Sequence, residues 1–132
     1  MTSLPLAGKT ALITGASGGL GLHFARLLAR NGADVTLAAR RMEKIDAACA
    51  EIRAAGGVAR GFEGDVSDAV SVARALGSVE RSFDILVNNA GISGAGPALD
   101  LGETEFDAVV DTNLKGAFLV ADIDNGDFIQ FY

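Results

Sequence analysis

Short runs of apolar residues alternate along the chain with longer segments in which apolar residues recur every three or four positions. The short runs are typical of strands buried on both faces, and the longer segments of amphipathic helices. We predict strands at 10–14, 34–38, 58–63 and 84–88, and helices at 19–31, 41–55, from a Ser67 cap to about 81, and from 103 onwards. This alternation predicts a three-layer α/β domain with a parallel sheet and right-handed crossovers.

The turn after the first strand is rich in glycine and leads directly into a helix. It reads Thr14-Gly15-Ala16-Ser17-Gly18-Gly19-Leu20-Gly21. A pyrophosphate needs N–H donors that no side chain obstructs, and the positive end of a helix dipole attracts it. The pattern therefore predicts a Rossmann-like dinucleotide site, although a glycine-rich turn without a ligand stays an alternative.

Each residue of this loop has an expected part in binding. Gly15 permits the tight turn, Gly19 lets the backbone approach the phosphates, and Gly21 lets the helix pack closely on the sheet. The hydroxyl groups of Thr14 and Ser17 are expected to add donors. The predicted cofactor contacts in the loop are Thr14, Gly15, Ser17, Gly18, Gly19, Leu20 and Gly21.

The end of the second strand indicates which dinucleotide is bound. Sites that prefer NAD usually place an acid there to hold the ribose diol, whereas this chain has Ala39 followed by Arg40 and Arg41. Guanidinium groups bind phosphate oxygens in pairs. We therefore predict NADP(H) in preference to NAD(H), with NAD(H) possible. Alternatively, the two arginines are only a solvated helix start.

Composition excludes several other classes of function. The net charge is −6 and the basic residues are scattered, which disfavours nucleic acid as a partner. The single cysteine, Cys49, excludes an intrachain disulfide, and no apolar run reaches the roughly 20 residues that span a bilayer. Without a recognisable signal peptide, we expect a cytoplasmic protein with no membrane partner.

Four motifs in order resemble the short-chain dehydrogenase/reductase family over about residues 6–121. They are Thr14-Gly15-x-x-x-Gly19-x-Gly21, Asp65-Val66, Asn88-Asn89-Ala90-Gly91 and Asn113. The resemblance implies hydride transfer between NADP and a carbonyl or secondary alcohol. It also implies a Rossmann-like sheet of about four strands in the order 3-2-1-4, in a half-domain spanning residues 1–121.

The resemblance also implies roles for the later motifs. Asp65 would accept from the adenine amino group, with the Val66 backbone beside it. Asn88 and Ala90 would shape the floor of the cofactor site, and Gly91 would leave room for the ribose. As plain structural alternatives, Asp65 would form a strand-end turn and Asn88 an Asx turn.

Asn113 would be the catalytic asparagine that kinks its helix and holds a water of the proton relay. This role requires a break in the helix at that point. The alternative is a helix interruption without chemistry.

The chain departs from the family after residue 121. The family's Tyr-x-x-x-Lys motif, with its accompanying Ser, is absent, and the only tyrosine is Tyr132. A tyrosine of this kind would do the acid–base work. We therefore expect a reading frame that is truncated or frameshifted before the later strands, and a catalytically incomplete chain.

The tail of residues 122–132 has two structural interpretations. Asn125-Gly126 is a strong signal for a hairpin between 119–124 and 127–132, and an extended arm along the edge of the fourth strand is the alternative. Asp122, Asp124 and Asp127 suggest a calcium loop, but the glycine is out of register, so we predict no metal site.

A half sheet should leave apolar side chains uncovered. We expect partial exposure of Val87, Val109, Val110, Leu114, Phe118 and Leu119. An open sheet edge with such a patch favours self-association or a homo-oligomer. Three functions stay open: an NADP-dependent oxidoreductase, a nucleotide-binding fragment without turnover, and a module that lends its edge strand to a partner.

Overall fold

The computed structural model describes residues 3–77, 83–93, 96–123 and 129–131. The strands are β1 Thr10–Thr14, β2 Asp34–Ala39, β3 Val58–Glu63, β4 Ile85–Val87 and β5 Ile129–Phe131. The helices are α1 Gly19–Arg30, α2 Met42–Ala54, α3 Ala69–Gly77, α4 Glu103–Val110 and α5 Gly116–Ile123. A 3₁₀ turn covers Ala98–Asp100, and a π-helical turn at Asp111–Lys115 lies between α4 and α5.

The five strands form one parallel sheet in the order β3-β2-β1-β4-β5. The first four strands confirm the predicted α/β fold with the order 3-2-1-4. Leu12 in β1 pairs with Thr36 in β2 and Leu86 in β4, so these three strands are aligned side by side. Their carboxyl ends therefore meet at one edge of the sheet. The strands are added outwards from β1 to β3 on one side and from β4 on the other, so the order reverses between β1 and β4.

Helices pack on both faces of the sheet and give it two apolar cores. Ile13 and Leu37 belong to the cluster beneath α1 and α2, whereas Leu12 and Leu86 belong to the cluster with Val120 of α5. Successive strand residues point to opposite faces, which explains why neighbours in β1 belong to different cores. Three layers result, as predicted.

Val87 is buried, whereas we expected it to be partly exposed. It is only 8% exposed, because the alternation along β4 turns its side chain into the core beneath α1 and α2. Two other predicted members of the patch, Leu114 and Phe118, are exposed by 70% and 63%. Val109, Val110 and Leu119 are half-buried.

The start of the third helix differs from the prediction. It begins at Ala69, and the cap is Asp68, whose Oδ1 accepts from the Val70 N–H at 3.0 Å. The Ser67 hydroxyl instead donates to Asp65 Oδ1. The predicted end of this helix near residue 81 lies outside the described residues.

The tail joins the sheet through its main chain. Residues 116–123 are helical where the hairpin alternative requires a strand, so that part of the hairpin prediction is wrong. Ile129–Phe131 pairs in parallel with β4. The Asn125-Gly126 turn lies outside the described residues, and the domain boundary at residue 121 stays a prediction.

Within the described ranges, no helix has the length and apolar character needed to cross a membrane. The same residues contain no group of three or more His, Cys, Asp or Glu side chains placed to hold a metal ion. Asp124 and Asp127 of the suggested calcium loop lie outside these ranges.

Candidate functional site

A cleft of about 200 Å³ lies at the carboxyl edge of the sheet. Four loops form most of its wall, and each follows a different one of the strands β1 to β4. The lining residues are Gly15, Ser17, Ala38, Ala39, Arg40, Arg41, Gly64, Asp65, Val66, Ala90, Gly91, Ile92 and Thr112. The fold therefore brings together eight predicted cofactor residues that are far apart in sequence: Gly15, Ser17, Arg40, Arg41, Asp65, Val66, Ala90 and Gly91.

The first and last glycines of the loop are required by close packing. Gly15 has a φ of +63°, and a Cβ there would lie 2.9 Å from the Cα of Ala90. A Cβ on Gly21 would overlap the Gly15 carbonyl oxygen and come within 2.6 Å of the Asn89 Nδ2 atom. The Asn89 amide donates to that same carbonyl oxygen at 3.3 Å, which ties the loop to the end of β4.

The middle glycines border open space. A Cβ on Gly18 or Gly19 would meet no atom within 4 Å, although Gly19 has a φ of +55°. Gly18 is the N-cap of α1 and provides no side-chain hydrogen bond to the first amides of the helix. The first amides of the helix, from Gly19 and Leu20, thus have no partner within the helix, as anion binding at a helix N-terminus requires.

Thr14 holds the loop in place from below. Its Oγ1 accepts from the N–H groups of Asn89 at 3.1 Å and Ala90 at 3.0 Å, and it donates to the Val87 carbonyl at 3.5 Å. The side chain is 2% exposed. The expectation that Thr14 donates directly to the phosphates is therefore wrong, because its hydroxyl hydrogen is buried and directed at Val87. Its contribution is to join β1 to the β4 loop.

Two arginines form the positive side of the cleft. Arg40 and Arg41 follow β2 and are both exposed. Neither belongs to the ion pairs that the described residues form, which join Arg26 to Glu51 and Arg60 to Asp34. Both guanidinium groups are thus available to an anion in the cleft.

Asp65 lines the same cleft, and its carboxylate is held in place by Ser67. Ser67 donates to its Oδ1 twice, from the hydroxyl at 2.7 Å and from the main-chain N–H at 3.0 Å. The hydrogen bond from the Ser67 hydroxyl has the largest effect on the pKa of Asp65, and it lowers this pKa. Partial burial raises that pKa, whereas the Ser67 amide and the positive charge of Arg40 lower it further. Asp65 is therefore an ionised hydrogen-bond acceptor at neutral pH.

Asn113 lies in the π-helical turn that interrupts the helical segment between α4 and α5. Its Oδ1 accepts from the Ile92 N–H and its Nδ2 donates to the Ile92 carbonyl, both at 2.8 Å. A Cβ on Gly91 would lie 3.2 Å from Asn113 Oδ1, so this glycine gives the asparagine room to approach. Helical interruptions of this kind are frequent at functional sites.

Asn88 joins the end of β4 to α5, because its Nδ2 donates to the Ala117 carbonyl at 3.2 Å. Neither Asn88 nor Asn113 lines the cleft, although Asn113 binds Ile92, which does. Sequence reasoning missed the contribution of Asn89 to the glycine loop, although this residue stands inside the Asn-Asn-Ala-Gly motif. It also missed Thr112, Ile92 and Gly64, which carry no chemical signal in the sequence.

The fold and the cleft together define a Rossmann-type α/β protein. The family model for short chain dehydrogenases matches residues 9–123, and the chain belongs to that family.

Relatives and solved structures agree with this assignment. A D-threitol dehydrogenase from Mycolicibacterium smegmatis is 39% identical over 118 residues, which cover 87% of this chain and 45% of that protein. A dehydrogenase/reductase from Sinorhizobium meliloti has a TM-score of 0.85 at 37% identity, covering 92% of this chain and 50% of the other. A gluconate 5-dehydrogenase from Burkholderia cenocepacia, solved with NADP and tartrate, has a TM-score of 0.84 at 35% identity, with 90% and 48% covered. The chain spans about half the length of these proteins.

Proposed function

We propose that this chain binds NADP(H) in the cleft at the carboxyl edge of the sheet. The observation that carries the proposal is that one cleft gathers Gly15 and Ser17 of the glycine loop, the arginine pair and Asp65. The loop and the start of α1 would hold the pyrophosphate. Arg40 and Arg41 would bind the 2′-phosphate, and Asp65 would accept from adenine.

The reaction we propose for the whole protein is that of the family, hydride transfer between the nicotinamide and a carbonyl or secondary alcohol. The cofactor supplies the hydride chemistry, and the protein positions it. Asn113 would keep the wall of the site in place by binding Ile92, and the irregular backbone of its π turn would hold a water for proton transfer. The other residues of this chain provide binding and orientation.

We further propose that these 132 residues bind the cofactor without turnover, because they contain no Tyr-x-x-x-Lys motif. The test follows the absorbance of NADPH with the purified chain and a panel of ketones and aldehydes. Saturable binding without consumption of NADPH is the expected result. Steady oxidation of NADPH at a rate proportional to protein concentration would contradict it.

A second proposal is that two copies associate through an apolar stripe. We define this stripe as Phe106, Leu114 and Phe118, which are exposed by 55%, 70% and 63% on the segment from α4 to α5. Leu114 and Phe118 are four residues apart and lie on neighbouring turns, and Phe106 lies about two turns before Leu114. Side chains of this size, exposed together, are typical of interaction surfaces.

Sedimentation velocity tests this association. We expect the wild-type chain to form dimers or larger species, and the variant Leu114→Gln/Phe118→Gln to sediment as a monomer. Leu99→Gln is the matched control, since Leu99 is 99% exposed but lies outside the stripe, and it should behave as wild type. A monomeric wild-type chain at all concentrations would exclude the proposal.

We also propose a cytoplasmic location. The sole cysteine, Cys49, is a free thiol that is 2% exposed in the core beneath α2, and burial raises its pKa. A buried, protonated thiol of this kind suits a reducing compartment but does not require one.

A further inference from the structure

The Asp65 carboxylate is held by a serine to which the proposed function gives no role. Both the hydroxyl and the N–H of Ser67 donate to Oδ1, at 2.7 Å and 3.0 Å. Within the described residues, Oδ2 receives no hydrogen bond. The carboxylate therefore has one satisfied oxygen and one open acceptor on the rim of the cleft.

The main chain of Asp65 is fixed independently of the Ser67 side chain. Its N–H donates to the Ser71 hydroxyl of α3 at 2.9 Å, and its carbonyl accepts from the Asp68 N–H at 3.1 Å. The preceding residue, Gly64, donates to the Ala39 carbonyl at 2.9 Å. Removal of the Ser67 hydroxyl leaves Oδ1 with the Ser67 N–H as its remaining donor, so it should loosen the carboxylate and leave the loop where it is.

We propose that Ser67 is a positioning residue for the nucleobase, because it turns the Asp65 carboxylate so that Oδ2 meets the base. The inference rests on the proposed function, which places a dinucleotide in this cleft. A fixed carboxylate accepts from an exocyclic amine but repels a carbonyl oxygen, since both carry lone pairs. Ser67 thereby makes the cleft select a 6-aminopurine over a 6-oxopurine.

The size of the effect follows from what the serine contributes. Ser67→Ala removes one charge-assisted hydrogen bond and lets the carboxylate sample orientations that do not meet the amine. Loss of one such oriented contact corresponds to about a three- to tenfold weaker affinity. The hypoxanthine analogue of NADP has an oxygen in place of the amine, so a looser carboxylate repels it less and its affinity should not fall.

The experiment measures the dissociation constants of NADP and of its hypoxanthine analogue by calorimetry, for the wild-type chain and for three variants. Ser67→Ala should weaken NADP binding by about three- to tenfold and should not weaken binding of the analogue. Ser67→Thr keeps the hydroxyl and should restore wild-type discrimination. Ser3→Ala, an exposed serine outside the cleft, is the matched control and should match wild type for both ligands.

The outcomes separate the inference from the proposed function. Equal weakening of both ligands by Ser67→Ala, or no change in either, overturns the positioning role. A wild-type chain that binds NADP but does not prefer it to the analogue also overturns it, while the dinucleotide site stands. A wild-type chain that binds neither ligand contradicts the proposed function itself. If Ser67→Ala does not fold, Asp65→Asn tests the same selection and should remove the preference for NADP.

Discussion

Gly21→Ala should destabilise the fold and abolish cofactor binding. Gly21 is buried, and an added methyl group would overlap the Gly15 carbonyl oxygen and lie 2.6 Å from the Asn89 amide nitrogen. The overlapped atom is main chain, so helix α1 has to move away from the sheet. Overpacking of this kind costs about 1–3 kcal/mol, and unfolding by urea measures the loss. The displaced helix carries the amides proposed to face the pyrophosphate.

Gly18→Ala is the matched control, because it adds the same methyl group three residues earlier in the loop. Gly18 has an extended backbone with a φ of −176°, and a Cβ there meets no atom within 4 Å. We expect its free energy of unfolding to stay within about 0.5 kcal/mol of wild type. A Gly21→Ala variant as stable as Gly18→Ala would contradict the packing argument.

The double variant Arg40→Ala/Arg41→Ala should reverse the choice of cofactor. We expect the affinity for NADP to fall by about a hundredfold. Each charge-assisted hydrogen bond to a phosphate contributes roughly 1.5–3 kcal/mol, and a bond made by an exposed side chain contributes no more than the lower value of that range. The affinity for NAD should change little, since NAD has no 2′-phosphate. Calorimetric titration of both cofactors measures the ratio.

Arg30→Ala controls for the loss of positive charge. Arg30 ends α1 and lines a separate cavity with Arg26 and Glu51, away from the cleft. This variant should retain the affinity and the preference of wild type. If Arg40→Ala/Arg41→Ala weakens NADP and NAD equally, the arginines contribute only general attraction, and the proposed preference fails.

The elements that position the site could be predicted from the chain because their signals are local. The apolar run of β1 followed by glycines predicts a strand, a tight turn and a helix without any knowledge of distant contacts. The order of the first four strands followed from resemblance to a family and was confirmed. The parallel pairing of those strands then brings their carboxyl ends to one edge.

The parts that sequence reasoning missed depend on contacts between distant segments. Thr14 was expected to meet the phosphates, but the N–H groups of Asn89 and Ala90 occupy its hydroxyl. We predicted that Ser67 caps α3, but Asp68 does so, because the serine hydroxyl donates its hydrogen bond to Asp65. Such competition between equivalent partners is settled by three-dimensional geometry, which spacing along the chain does not encode.

The tail shows a second limit. Asn125-Gly126 favours a hairpin locally, yet residues 116–123 continue the helix and the main chain of Ile129–Phe131 lies in parallel beside β4. An unpaired strand edge offers hydrogen bonds to any extended segment within reach. The tertiary alternative therefore outweighs the local turn signal in the described part of the tail.

The central claim is that the cleft at the carboxyl edge binds NADP(H), and NMR titration of the ¹⁵N-labelled chain tests it most directly. We predict saturable shifts of the amide signals of Arg41, Asp65 and Gly91, which line the cleft, and of Gly18, Gly19 and Leu20 at the start of α1, which the pyrophosphate would meet. The amides of Arg30 and Gly56, which line the separate cavity with Arg26, should stay in place. The absence of saturable shifts, or shifts confined to residues outside the cleft and the start of α1, would contradict the account.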